Sequence, residues 1–193
     1  MKGFCISFMV LGLYCSCGRS LDPVQLNNWM EDQENGLVKS QELKNFRVSA
    51  VYQPTDLIAL KNCKRGDEEV DFTECSEEYK ENIYIELRLE PKDSTDKDPR
   101  NWNEEFISLL DFKLAEHMEL VSGNDTLPCV FHHLERPFHL RPYIKVLTVF
   151  ERPHEGTDPK DIRLRLDIPG QSITQEPIVF DHKDLQRIPK LKI

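Results

Sequence analysis

The sequence predicts a mainly β, α+β fold, an antiparallel β-sandwich-like domain with two or three short peripheral helices. Three observations predict it. Several segments alternate apolar and polar residues with period two, the signature of a half-buried strand. Turn-rich stretches holding Pro153, Gly156, Pro159, Pro169 and Gly170 separate the later strands at short spacing. Apolar residues make up 39% of the chain and aromatics 9%, enough for a packed core and too much for disorder.

The elements follow in order. Asp22 before Pro23 is a helix start, a capping carboxylate with proline at the first helical position, and Leu26, Trp29 and Met30 give that helix one apolar face ended by Gly36. Residues 45–53 alternate, with Phe46, Val48, Ala50 and Tyr52 on one face and Arg47, Ser49 and Gln53 on the other. Pro54, Thr55 and Asp56 open a short helix through Leu57, Ile58 and Leu60. The cleanest strand is 82–90: Ile83, Ile85, Leu87 and Leu89 face the core, and Tyr84, Glu86, Arg88 and Glu90 are expected to face water.

Residues 91–101 form a polar, proline-containing loop. From 102 to 117 the period is mixed, with Phe106, Leu109, Leu110 and Leu114 suiting a helix and a strand following near 118–121. Gly123, Asn124 and Asp125 make a tight turn, so 118–121 and 127–132 read as a hairpin. Further strands are expected at 143–152, 162–168 and 178–180. Asp181 then caps a short helix through Leu185, and 188–193 closes the chain as an edge strand or extended tail. About seven strands and a few peripheral helices give the sandwich; the chain has no internal repeat.

The N-terminus reads as an export signal. Lys2 supplies a positive start, 4–14 is an apolar run too short to span a bilayer, and Ser16-Cys17-Gly18 fits cleavage before a cysteine that has received a diacylglycerol. Residues 1–16 are thus expected to be a lipoprotein signal peptide, with Cys17 the lipidation site and 17–193 a single β-rich domain on a short tether. Tyr14 departs from the small aliphatic residue such a site prefers, and a secreted protein cut near Cys17 or Gly18 and an uncleaved anchor are the competing readings. Several acyl chains on one residue give stable attachment where one would not.

Net charge is −9, and −10 without Lys2, so the body is acidic; nucleic acid and anionic lipid surfaces are not expected partners. Past the signal, Cys63, Cys75 and Cys129 remain. Cys63 and Cys75 flank a charged segment and are the favoured pair for a disulfide in an oxidising compartment. Cys129, in an apolar run after Pro128, reads as a buried small hydrophobe.

The richest polar stretch is 129–142, with His132, His133, Glu135, Arg136, His139 and Arg141. His132, His133 and His139 are weak candidates for metal ligands, since adjacent histidines on a strand point to opposite faces and no HExxH spacing occurs. No catalytic residue, cofactor or metal is assigned. There is no nucleophile elbow and no phosphate loop, and the carboxylate pairs have no apolar surroundings to separate their pKa values. A non-enzymatic role is therefore expected.

The segments WMEDQENGLVKS, VSAVYQPTDLIALKN, SGNDTLPCVFHHLERPF and FDHKDLQRIPKLKI follow the cysteine-terminated signal and are spread along the body to its end. In these the chain resembles a group of Bacteroidota lipoproteins to which no activity is assigned. The resemblance implies an envelope location and brings no catalytic residues. Surface-displayed lipoproteins of that phylum often carry acidic residues directly behind the cysteine; here Gly18, Arg19, Ser20 and Leu21 intervene before Asp22, which favours an outer-membrane protein facing the periplasm. The expected function is a lipid-anchored envelope module that binds or assembles with another envelope component, through strand edges and the 91–101 and 132–142 loops. The alternatives are a periplasmic carrier of a small molecule or metal and, third, an envelope hydrolase.

Overall fold

The structure is a computed structural model and describes residues 20–63, 72–92, 102–135, 143–152, 160–171 and 176–192. These residues are mainly β. Strand β1 (Ser20–Leu21) leads into helix α1 (Pro23–Glu31), which Asp22 caps by accepting from the Gln25 N–H at 2.8 Å while the Gln25 side chain accepts from the Asp22 N–H. A 3-10 turn over Gln33–Asn35 intervenes before Gly36, whose φ of +78° ends it. A Cβ at Gly36 would lie 2.2 Å from the Asp184 carboxylate, so side-chain crowding and backbone both demand glycine there.

Strands β2 (Val38–Glu42), β3 (Phe46–Gln53), β4 (Asn82–Pro91), β8 (Ile144–Glu151) and β7 (Cys129–Glu135) form an antiparallel five-stranded sheet in the order β2-β3-β4-β8-β7. The second sheet has the order β10-β9-β5-β6, from β10 (Ile178–Phe180), β9 (Ile162–Leu166), β5 (Met118–Ser122) and β6 (Asp125–Leu127). One hydrophobic cluster fills the space between them, with Ile85, Leu87 and Phe150 from the first sheet and Leu120, Leu164 and Phe180 from the second all buried. The Tyr52 and Phe180 rings meet across it at 6.0 Å. The result is sandwich-like. Along one side the sheets are joined by polar bonds, the Gln41 amide donating to the Glu176 carbonyl at 2.9 Å.

Five α-helices occur among the described residues, more than the two or three expected. Helix α2 (Thr55–Cys63), expected from the sequence, pairs with helix α3 (Phe72–Lys80), which was not expected because its three glutamates give it the polarity of a solvated loop. They are stapled by a disulfide between Cys63 and Cys75. Helix α4 (Glu104–Phe112), capped by Asn103, and helix α5 (His182–Leu185) complete the set.

Three expectations change. The outer face of β4 is not wet throughout: Tyr84 is 6% exposed and Glu86 8%. Tyr84 is covered by the α2–α3 pair, joining Ile58 and Val149 in a second small core with Tyr79 and Leu147. The expected hairpin of 118–121 with 127–132 is shorter: about the two-residue turn Gly123-Asn124, β5 pairs with the short β6 and not with β7. Pro128 has no N–H to continue that ladder, and the chain crosses to the other sheet, where β7 pairs with β8. The C-terminal segment is a strand, β11 (Lys190–Leu191), but it pairs parallel with β1 rather than joining either sheet.

Candidate binding surface

Strand β7 ends the five-stranded sheet, and its sequence places large apolar residues where water reaches them. Its register against β8 shifts between Cys129 and Phe131, so that Val130 is an extra residue at a bulge. Val130 is 54% exposed and Phe131 55%. Phe131 sits on the outer face opposite Val149, and its ring stacks beside His133 at 6.5 Å. On the inner face His132 is opposite Thr148 and its Nε2 lies 3.1 Å from the Asp111 carbonyl, which fastens the strand to the end of α4. Phe112, the next residue, is 73% exposed. Three of the four large hydrophobics exposed among the described residues therefore belong to β7 or to the helix end bonded to it.

A cleft of about 800 Å³ adjoins this edge at Cys129, with walls from Glu116 and His117, Glu119 of β5, Thr126 of β6, and Arg165 and Asp167 at the end of β9. Arg165 pairs with Glu119 at 3.0 Å, directly across the β5–β9 ladder. The Asp167 N–H donates to the His117 carbonyl at 2.8 Å, which draws the end of β9 to the 3-10 turn before β5. The Cys129 thiol donates to the Phe131 carbonyl at 3.4 Å, and burial pushes its pKa up. A protonated, packed thiol is the opposite of an activated nucleophile. The cleft can accept a polar chain segment or small molecule beside an apolar edge; among the described residues that line it, no acid, base and nucleophile are in mutual contact.

The remaining sequence-predicted residues distribute as follows. Cys17 and His139 lie outside the described residues, as do Arg136, Arg141 and most of the 91–101 and 132–142 stretches. His132 and His133 occupy opposite faces of β7, and among the described residues no group of three or more histidine, cysteine or carboxylate side chains is placed to hold a metal ion. No helix among the described residues is long and apolar enough to cross a membrane. Phe112 was missed, although a signal was present: it lies off the stripe of Phe106, Leu109 and Leu110 on α4, where an apolar residue has no core to enter. The cleft was not legible, because its walls come from segments up to about fifty positions apart.

Elsewhere on the outer sheet face an ion network is found. Arg88 donates from Nη1 to Glu31 at 2.7 Å and from Nε to Glu86 at 2.6 Å, and Lys145 lies 2.8 Å from Glu86 and 3.2 Å from Glu135. Glu31, foremost, holds the Arg88 guanidinium more firmly protonated than usual. Every member has an opposite charge beside it, and the network ties the C-terminal end of α1 to the sheet.

Comparison with family models, curated proteins and solved structures finds no match to the chain.

Proposed function

We propose that the chain is a lipid-anchored cell-envelope protein, attached through Cys17 in the outer membrane and facing the periplasm, whose domain is a non-catalytic binding or assembly module for another envelope protein. The observation that carries the binding role is the exposed apolar edge formed by Val130, Phe131 and Phe112. Among the described residues no strand pairs with the far edge of β7; such an edge offers main-chain hydrogen bonds to an added strand, and apolar side chains there supply affinity. The Cys63–Cys75 disulfide supports export, since such bonds form and persist in oxidising compartments. The experiment is site-specific photocrosslinking in intact cells from positions 112 and 131, with mass spectrometry of the N-terminal peptide. One recurring protein crosslinked from both positions, with a diacylated Cys17, is the expected result. A diacylated Cys17 with no protein crosslink from either position overturns the binding role.

A second reading, a carrier of a small molecule, is favoured by the cleft beside Cys129. A ligand retained through native mass spectrometry and lost in Arg165→Ala would replace the first reading with this one.

A further inference from the structure

The parallel pair β1–β11 fixes which end of the domain stands nearest the anchor. Ser20, the first residue of β1, comes three positions after Cys17, so the chain between them reaches at most about 11 Å. The Lys192 N–H donates to the Leu21 carbonyl at 2.8 Å, which holds the C-terminal segment against the same strand. Whatever surrounds β1 and β11 therefore lies within a headgroup's thickness of a membrane to which Cys17 is attached.

A groove of about 450 Å³ occupies that end, where Lys190 meets the C-terminal ends of β3 and β8. Its lining residues include three cations, Lys80, Arg152 and Lys190, against one carboxylate, Asp56. Lys80 is paired with Glu77. Arg152 is held in place by neutral groups, donating from Nε to the Lys80 carbonyl at 3.0 Å and from Nη2 to the Asn82 carbonyl at 3.4 Å. Among the described residues no carboxylate pairs with it, so its charge is positioned by neutral groups. Lys190 is exposed. Cations held close to the anchor are what contact with an anionic headgroup requires.

Resting on the lipid-anchor reading, we infer that this groove binds the headgroup of an anionic phospholipid in the anchoring membrane, through Arg152 and Lys190, and so sets the orientation of the domain on the bilayer. The acidity of the whole chain argues against a broad membrane attraction; the contact is local, at the end the tether brings down.

The test uses the full lipidated protein in nanodiscs of phosphatidylcholine alone or with phosphatidylglycerol, read by amide hydrogen exchange, with the mass of the N-terminal peptide measured on the same sample. Exchange at 188–192 should be slower in the anionic discs, by up to about 30-fold if each of two cations contributes as surface-bound lysines and arginines do. Arg152→Glu with Lys190→Glu should abolish the difference. Equal exchange in the two discs with a diacylated Cys17 overturns the headgroup contact alone. An unmodified Cys17 removes the anchor, and the contact with it. The same protection from inorganic phosphate in neutral discs would make this a free-phosphate site and also overturn the membrane assignment.

Discussion

Replacing Cys63 and Cys75 together by serine should lower the stability of the protein by about 3 kcal/mol. The bridged residues are 12 apart in sequence. Closing a loop of this size removes conformational entropy from the unfolded chain worth about 3 kcal/mol at 25 °C. The native state offers little to compensate, because the α2–α3 pair rests on the sheet through the small core of Ile58, Tyr84 and Val149, with Tyr79 and Leu147 only partly buried. For a chain of this length, 1 kcal/mol corresponds to about 2–4 °C in Tm, so the double variant should melt about 6–12 °C lower by far-UV circular dichroism. Hydrogen exchange should show the loss first at the N-terminal end of β4, beneath the helix pair. A shift below about 1 kcal/mol would refute the reasoning, since the unfolded-state constraint is independent of how well the helices pack.

Arg88→Met should cost about 2 kcal/mol by urea denaturation, because it leaves Glu86, 8% exposed, with Lys145 as its remaining cation, whereas Glu31→Gln should cost under about 1 kcal/mol at a site one-third exposed. Additive effects of the two in the double variant would show that they do not act through one network. Burial raises the Cys129 pKa, so iodoacetamide should alkylate the native protein at pH 8 more slowly than an unfolded control, the rate climbing as pH passes above the usual thiol range; equal rates would mean the thiol is not packed. Burial also raises the Tyr84 pKa, the Asn82 side chain opposing in part. A raised folded-state pKa favours the neutral phenol, so its stabilisation is complete below the unfolded value near 10 and is lost as pH rises above it. Tyr84→Phe should flatten that alkaline decline in urea melts between pH 8 and 11, and an unchanged slope would exclude Tyr84 as its source.

How much of this was readable in advance depends on where each signal resides. Strands β3, β4 and β9 were legible because alternation encodes one buried and one solvated face, and the start of α1 because Asp22-Pro23 carries its own capping chemistry. Strand β2 was not, since Lys39 and Gln41 occupy its inward positions and spend their polarity on Asp181, Asp184 and the Glu176 carbonyl. The burial of Tyr84 and Glu86 was also hidden: alternation says which residues share a face, and only the tertiary fold says that a helix pair and an ion network cover it. Of the binding surface, the apolar residues of β7 were visible as a run, but their exposure depends on β7 being an edge strand, which follows from Pro128 sending the chain to the other sheet.

The two proposed surfaces are linked through β8. The Glu151 N–H donates to the Pro128 carbonyl at 3.3 Å, so the start of β7, with Val130 and Phe131, lies one strand away from the end of β8 that delivers Arg152 to the cationic groove. If Cys17 is lipidated, the apolar edge therefore begins close to the bilayer and runs away from it along β7. A strand added to that edge must then come from a partner whose own chain passes near the membrane surface, such as the juxtamembrane segment of a membrane protein. Crosslinks from position 131 should accordingly map to a partner recovered in the membrane fraction even after a high-salt wash. A partner released by salt would place the contact at the far end of β7 and separate the two surfaces.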